Sequence, residues 1–412
     1  MNKSGEKSSA PFLIFLTWLV YATSYLGKVN YSANITQIID FYGVSKAEAG
    51  LVPTFFFFAY GIGQVVNGFL CHKYHIRFTI FSSLTASAII NFLIALSTDF
   101  GFIKWLWLLN GFLMSMLWPC LIRFLSESLP AKYLGKSSVV MGTTVATGTL
   151  IIYALSSLYA AFDNFKLAFY TAALAEMTVA LVWFFSYKIA AVTKPEPNVD
   201  KILQKSYDNP KETKKTSRGL VGMLSVLCFC AVGVNLIKDG LTTWVPTILK
   251  EEGTMSDSLS ILLTLFLPML AVVGNAFALL IHKKIPNYVK HCMTVFFVAM
   301  IVIGAVIGGL ALKSVVIMLI GMVIVNFLVS SLNSIVTGIF PLYMREHMNS
   351  GRCAGILNGF CYLGSTISSF GLGAIADFYG WATVFWFLFA VCAVIVAVCG
   401  GYILFSKHIN KN

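Results

Sequence analysis

The chain reads as an all-α membrane protein of twelve transmembrane helices in two pseudo-symmetric six-helix bundles. Three observations predict this. Of its 412 residues 58% are hydrophobic and only 11% charged, far from the balance of a soluble domain. Its apolar runs reach the length of about 20 residues that crosses a bilayer. They fall into two sets of six, separated by a single long polar stretch.

The first six runs lie near 11–33, 48–70, 76–98, 103–126, 136–160 and 166–188. The first follows a short polar start with Lys3 and Lys7 and has no small-residue cleavage site, so it reads as a retained helix and not a signal peptide. The stretch 190–218 is dense in lysine and acidic residues and reads as a linker. Six more runs follow near 220–248, 259–281, 290–311, 314–342, 353–375 and 381–405. The expected organisation is a bundle at 1–189, a cytoplasmic linker at 190–218 and a second bundle at 219–412. The halves look like copies. The interval from Lys28 to His72 equals that from Lys238 to His282, and each histidine is followed by a lysine, Lys73 or Lys283. Gly135-Lys136 and Gly351-Arg352 each precede the fifth helix of their half.

Basic residues set the orientation. With the N-terminus inside, only Lys46, Lys104, Lys166, Lys250 and Lys313 fall outside, while Lys28 and Lys238 lie within the membrane. The excess of lysine and arginine on cytoplasmic segments therefore puts both termini in the cytoplasm, with the cell membrane as the expected location. The net charge of +12 follows from this topology and from anionic headgroups, and no nucleic-acid partner is called for. The nine cysteines are scattered through helices and read as apolar packing. His72 and His75, two ligands in a basic loop, make a poor metal site. No phosphate-binding glycine loop, metalloprotease motif or nucleophile elbow is present. Neither a metal, a cofactor nor an enzymatic reaction is expected.

A lysine near the middle of a membrane helix costs about 2.5–3.5 kcal/mol on insertion scales, so two such residues need a return. One reading is that Lys28, about 25 Å along the helix from Pro11, snorkels to the outer interface. The other is that Asn30, Tyr31, Ser32 and Asn34 extend the helix as a polar cavity wall around it. If both ammonium groups face one cavity about 10 Å apart, they repel by about 1–2 kcal/mol. A bound dianion reverses that sign, draws the halves together and lowers the barrier between inward-open and outward-open states.

The stretches Tyr25-Leu26-Gly27-Lys28-Val29-Asn30-Tyr31 and Ile237-Lys238-Asp239-Gly240-Leu241-Thr242-Thr243-Trp244-Val245-Pro246 carry a family resemblance, as do Asn110-Gly111 with Trp118-Pro119 and Cys361-Tyr362-Leu363-Gly364. Over nearly its whole length the chain resembles a major facilitator superfamily carrier, closest to the organophosphate:phosphate antiporters. The resemblance puts Lys28 and Lys238 where that family holds two substrate-binding arginines. It implies that Tyr21, Tyr25, Tyr60 and Tyr362 line the cavity, and that Gln64 stands where the second helix would carry a lysine. There are departures. Lysine keeps the charge but loses the planar fork that suits phosphate, and Thr143, Thr144 and Thr147 occupy the region of an expected histidine. The site is less basic than the family's, so a monoanion or carboxylate stands beside a phosphate ester as candidate substrate.

Two acids are candidates for coupling. Asp239 adjoins Lys238, and a structural ion pair competes with coupling there; adjacent helical residues point about 100° apart, so it is expected to reach Lys238 only through a third group or to face another helix. Glu176 lies midway through the sixth span, in a helix the superfamily uses as outer support, and a packing role competes with coupling there. Trp118 and Pro119 mark either a gating kink or a tolerated break. Asn333 and Asn358 read as interhelical glue, and Gly304 with Gly308 as a small-residue pair packing within a monomer. The expectation is a secondary carrier that moves a small organic anion by alternating access, in exchange for phosphate or another anion. The alternatives are a proton-coupled symporter of a carboxylate or sugar acid, and a receptor-like membrane protein without transport.

Overall fold

Residues 3–190, 218–344 and 350–409 are described by the computed structural model, and every regular element among them is helical. The expected linker lies outside the described residues except at its ends. The first half comprises α1 (Lys3–Ala33), α2 (Ile35–Tyr42), α3 (Lys46–Leu70), α4 (Ile76–Leu96), α5 (Phe100–Met114), α6 (Leu117–Ser128), α7 (Ala131–Met141), α8 (Thr144–Ala160) and α9 (Lys166–Ala190). The second comprises α10 (Arg218–Glu251), α11 (Asp257–Thr264), α12 (Phe266–Lys284), α13 (Tyr288–Ala311), α14 (Val315–Ser334), α15 (Phe340–Tyr343) and α16 (Ser350–Ile409). Among the described residues 11 helical stretches are long and apolar enough to cross a membrane, and the last of them, Arg352–Ser406, is 55 residues long. At 1.5 Å per residue it would run about 80 Å, more than twice a bilayer core. Gly380 breaks it, with φ 78° and ψ 171°, a backbone region open to glycine. This one helix therefore supplies the eleventh and twelfth crossings.

Proline explains three of the breaks inside single spans. Its ring clashes with the carbonyl four residues earlier, and it has no N–H to donate there. Pro119 opposes Ser115, where the fourth span breaks between α5 and α6. Pro268 opposes Thr264, the end of α11, and Pro341 opposes Thr337 inside the π-helical turn Ile335–Ile339. In the fourth span the Ser115 carbonyl accepts from Gln64 Nε2 at 3.3 Å. The break thus sits one turn before the Trp118-Pro119 pair, and α3 completes its bonding.

Contacts group the chain into two compact units, Met1–Tyr31 with Ala59–Pro210 and Ser32–Phe58 with Lys211–Asn412. In the first, α4 packs along α9. The Arg77 guanidinium lies 3.9 Å from the Phe184 ring centroid and donates to the Phe184 carbonyl at 3.0 Å. The turn Cys71–Lys73, which holds His72, is gripped from α6: Arg123 Nη1 donates to the carbonyls of Cys71 (2.6 Å) and Tyr74 (3.1 Å).

In the second unit a polar clasp joins 32–58 to the helices that follow residue 218. The Asp377 carboxylate accepts from the backbone N–H of Lys46 (3.1 Å) and Ala47 (2.7 Å), capping the first turn of α3, where free N–H groups and the helix dipole favour an anion. Lys46 pairs with Glu251 at 3.1 Å, and Glu251 also accepts from Trp381 Nε1 at 2.8 Å. Lys250 bridges Asp40 (2.5 Å) and Asp257 (3.0 Å). Replacing Asp377 with alanine is expected to cost about 1–2 kcal/mol and to lower the thermal unfolding midpoint in detergent, with Asp377→Asn intermediate. An unchanged midpoint in the alanine variant would show that the clasp adds no stability.

The glycine pair of the ninth span departs from expectation. Gly304 meets only the edge of Phe389, and a side chain at Gly308 would enter open space. Gly309, one residue on, is the glycine packed against Ile317 and Met318. Helical rotation of about 100° per residue turns Gly308 out of the contact.

Candidate functional site

Tyr21, Tyr25 and Lys28, spaced four and three residues apart, share one face of α1. The Lys28 ammonium lies 4.7 Å from the ring centroids of Tyr21 and Tyr25 and 5.2 Å from that of Tyr60 on α3. Tyr21 in turn leans on Trp118, with ring centroids 4.7 Å apart, so the residue beside Pro119 supports the cage. Lys28 is only 7% exposed and its nitrogen is fully enclosed, which excludes snorkelling in this arrangement. The Tyr60 hydroxyl is within hydrogen-bonding reach of the nitrogen, and Tyr60 and Glu176 both act on it electrostatically. Cation–π attraction to desolvated rings, about 2 kcal/mol at best, offsets part of the cost of burying it.

Behind the cage lies a buried polar cluster. The Gly27 carbonyl accepts from Asn110 Nδ2 on α5 at 2.9 Å and from Asn91 Nδ2 on α4 at 3.4 Å. Asn91 Oδ1 accepts from Asn30 Nδ2 at 2.8 Å, and Asn91 Nδ2 also reaches Glu176 Oε2 at 3.4 Å. Glu176 is fully buried, and its carboxylate lies where a Cβ on Gly27 would stand. The sixth span buries this face against α1, while Leu174, Leu181 and Phe185 on its other side are exposed. Position 27 must be glycine for the carboxylate to approach α1 beside Lys28.

In the second unit Lys238 pairs directly with Asp239, Nζ to Oδ1 at 3.4 Å. The expectation of a third group between them is corrected: the four-carbon lysine stem bends across the 100° that separates adjacent helical residues. Asp239 Oδ2 also accepts from Ser365 Oγ (2.5 Å) and Asn235 Nδ2 (3.2 Å), which ties α10 to α16. Tyr362, half-buried, lies three residues before Ser365 on α16. Asn333 Oδ1 accepts from Cys361 Sγ at 3.7 Å, the interhelical contact expected of it. Gln64 is turned to the Ser115 carbonyl, as above, and Thr143 Oγ1 accepts from Trp18 Nε1 at 3.0 Å.

The structure thus gathers Lys28, Tyr21, Tyr25 and Tyr60, with Glu176 behind them, in one unit, and Lys238 with Asp239 in the other. Sequence reasoning did not assign Asn91, Asn110, Asn235 or Ser365. Their signal was present, since amide and hydroxyl side chains inside long apolar runs need partners, but nothing in the chain order says which ones.

The sequence profile of the Major Facilitator Superfamily matches residues 17–369. The membrane sensor protein UhpC of Salmonella typhimurium is 21% identical over 94% of this chain and 89% of its own. The glycerol-3-phosphate transporter of Bacillus subtilis is 22% identical over 91% of this chain and 88% of its own. Among solved structures, a bacterial homologue of the human lysosomal transporter Spinster, inward-facing and unoccupied, superposes with a TM-score of 0.78 at 13% identity, over 98% of both chains. Family profile, helical architecture and relatives agree with the resemblance carried by α1 and α10, and the chain belongs to the Major Facilitator Superfamily as a multi-pass membrane transporter.

Proposed function

We propose that this transporter carries a small organic anion of the organophosphate class by alternating access and exchanges it for phosphate or another anion. The observation that carries the reading is Lys28: a buried ammonium that pairs with no carboxylate within salt-bridge distance among the described residues, set among tyrosine rings whose hydroxyls suit anionic oxygens. Lys238 is the second cation, and Tyr362 and Gln64 are further contacts in this reading. The halves 1–189 and 219–412, joined by 190–218, are the bodies that alternate, in a cell membrane with both termini cytoplasmic. The clasp at Lys46, Glu251 and Asp377 joins residues of both halves, so it opens in each cycle.

The test is exchange of labelled phosphate from loaded proteoliposomes against external phosphate esters, carboxylates and sulfonates, without a pH gradient. Exchange that Lys28→Ala loses supports the reading and identifies the substrate class. No exchange, but uptake driven by an imposed pH gradient, replaces it with proton symport. Binding without flux replaces it with a sensing role.

A further inference from the structure

Each lysine has a carboxylate in its own unit, but the two acids are held very differently. Asp239 has Lys238 at 3.4 Å, Ser365 at 2.5 Å and Asn235 at 3.2 Å, and its side chain is 16% exposed. Three donors of this kind satisfy a carboxylate in its ionised form. Glu176 is fully buried; Ser87 and Asn91, the latter at the long distance of 3.4 Å, are the side chains that hydrogen-bond it, and its Oε1 is left without a partner. Lys28 is the charged residue that acts on it.

The helices packed around Glu176 offer little other charge. On α9 the nearest charged residues are Lys166 and Lys188, ten and twelve positions away, about 15 Å or more along the helix. On α4 only Arg77 is charged, and it sits at Phe184. On α5 the only charge is Lys104 in its second turn. On α6 Arg123 and Glu127 pair with each other, towards the Trp183–Tyr187 end. On α8 Tyr153 and Tyr159 are titratable and nothing is charged. On α1 the other charges, Lys3, Glu6 and Lys7, stand more than twenty positions before Lys28, and the tyrosines are Tyr21, Tyr25 and Tyr31, while Tyr60 on α3 faces Lys28.

We propose that Glu176 is a proton-binding site whose counter-charge is Lys28, so that the carrier takes up a proton on Glu176 when an anion claims Lys28. Before the anion arrives, ammonium and carboxylate balance within the buried cluster. Once an anion pairs with Lys28, the Glu176 carboxylate is a buried charge without compensation, a costly state. One proton from bulk water, added to the carboxylate oxygen, restores neutrality, and it leaves again when the anion departs. This rests on the anion-binding reading of Lys28 given above and adds to it a proton that moves with the anion.

The test needs no transport. Infrared difference spectra of the protein in lipid vesicles, recorded as pH is stepped, report the carbonyl stretch of a protonated carboxyl. The expected result is a titrating band that Glu176→Gln removes and Glu176→Asp, which keeps a carboxyl, retains. In Lys28→Met, which deletes the compensating charge without any ligand, the anionic form is disfavoured and the midpoint of that band should rise by about one pH unit or more. A spectrum unchanged by Glu176→Gln, or a midpoint that Lys28→Met leaves in place, overturns the proposal. Because Lys28→Met stands in for anion capture, this result is independent of whether phosphate or its esters prove to be substrates, which the exchange assay decides separately.

Discussion

If the proposed anion exchange holds, Lys28→Ala is expected to abolish it while the protein remains folded in the membrane, and Lys238→Ala to do the same. Removing one partner of a desolvated charge pair costs about 2–5 kcal/mol, a loss of roughly thirty-fold or more in affinity. In an exchanger that alternates with its anion bound, the loss appears in flux. The two variants differ in stability. At position 28 alanine removes a buried ammonium, and Glu176, left without its counter-charge, takes up a proton in the reading above, so the fold tolerates the change. At position 238 it leaves Asp239 with Ser365 and Asn235 but without its cation, and a modest loss of stability accompanies the loss of exchange. Lys→Arg at either position keeps the charge and part of the flux, limited by how a planar guanidinium fits a site shaped for a point charge. Wild-type exchange rates in either alanine variant, measured in proteoliposomes at equal reconstitution, would remove that lysine from the site.

Gly27→Val unfolds the first unit's polar cluster. A branched side chain there overlaps the Glu176 carboxylate and Asn91 Nδ2, in a region where Asn30, Asn91 and Glu176 are at or near full burial. Overpacking costs about 1–3 kcal/mol, and each buried hydrogen bond forced open adds about 1–3 kcal/mol, so a total of about 3 kcal/mol or more is expected. The thermal unfolding midpoint in detergent falls sharply, and exchange falls with it because the displaced cluster adjoins Lys28. Gly308→Ala is the control: its new Cβ meets open space, and both quantities stay at wild-type values. Equal midpoints for the two variants would contradict the close packing at Gly27.

Much of the architecture was legible residue by residue. Apolar runs of bilayer length placed the spans, and each proline that breaks a span does so through the carbonyl four residues before it, as at Pro119 and Ser115. The spacing of Tyr21, Tyr25 and Lys28 put them on one helix face, and their contacts follow from it. Other expectations failed where a flexible side chain or a distant helix decided the outcome. Lys238 bends to the neighbouring Asp239, and Gly308 faces away from the packing its spacing suggested.

By itself the sequence determined the class of the molecule, the twelve crossings, the family and the depth of the two lysines, because hydropathy, helix period and local motifs are properties of neighbouring residues. Only the tertiary structure decided which carboxylate stands with which lysine, that Asn91 and Asn110 hold the Gly27 carbonyl, and that Asp377 caps a helix beginning at Lys46. Apart from neighbouring Lys238 and Asp239, those pairings join residues tens to hundreds of positions apart, and inside an apolar protein each polar group accepts whatever partner packing brings within reach.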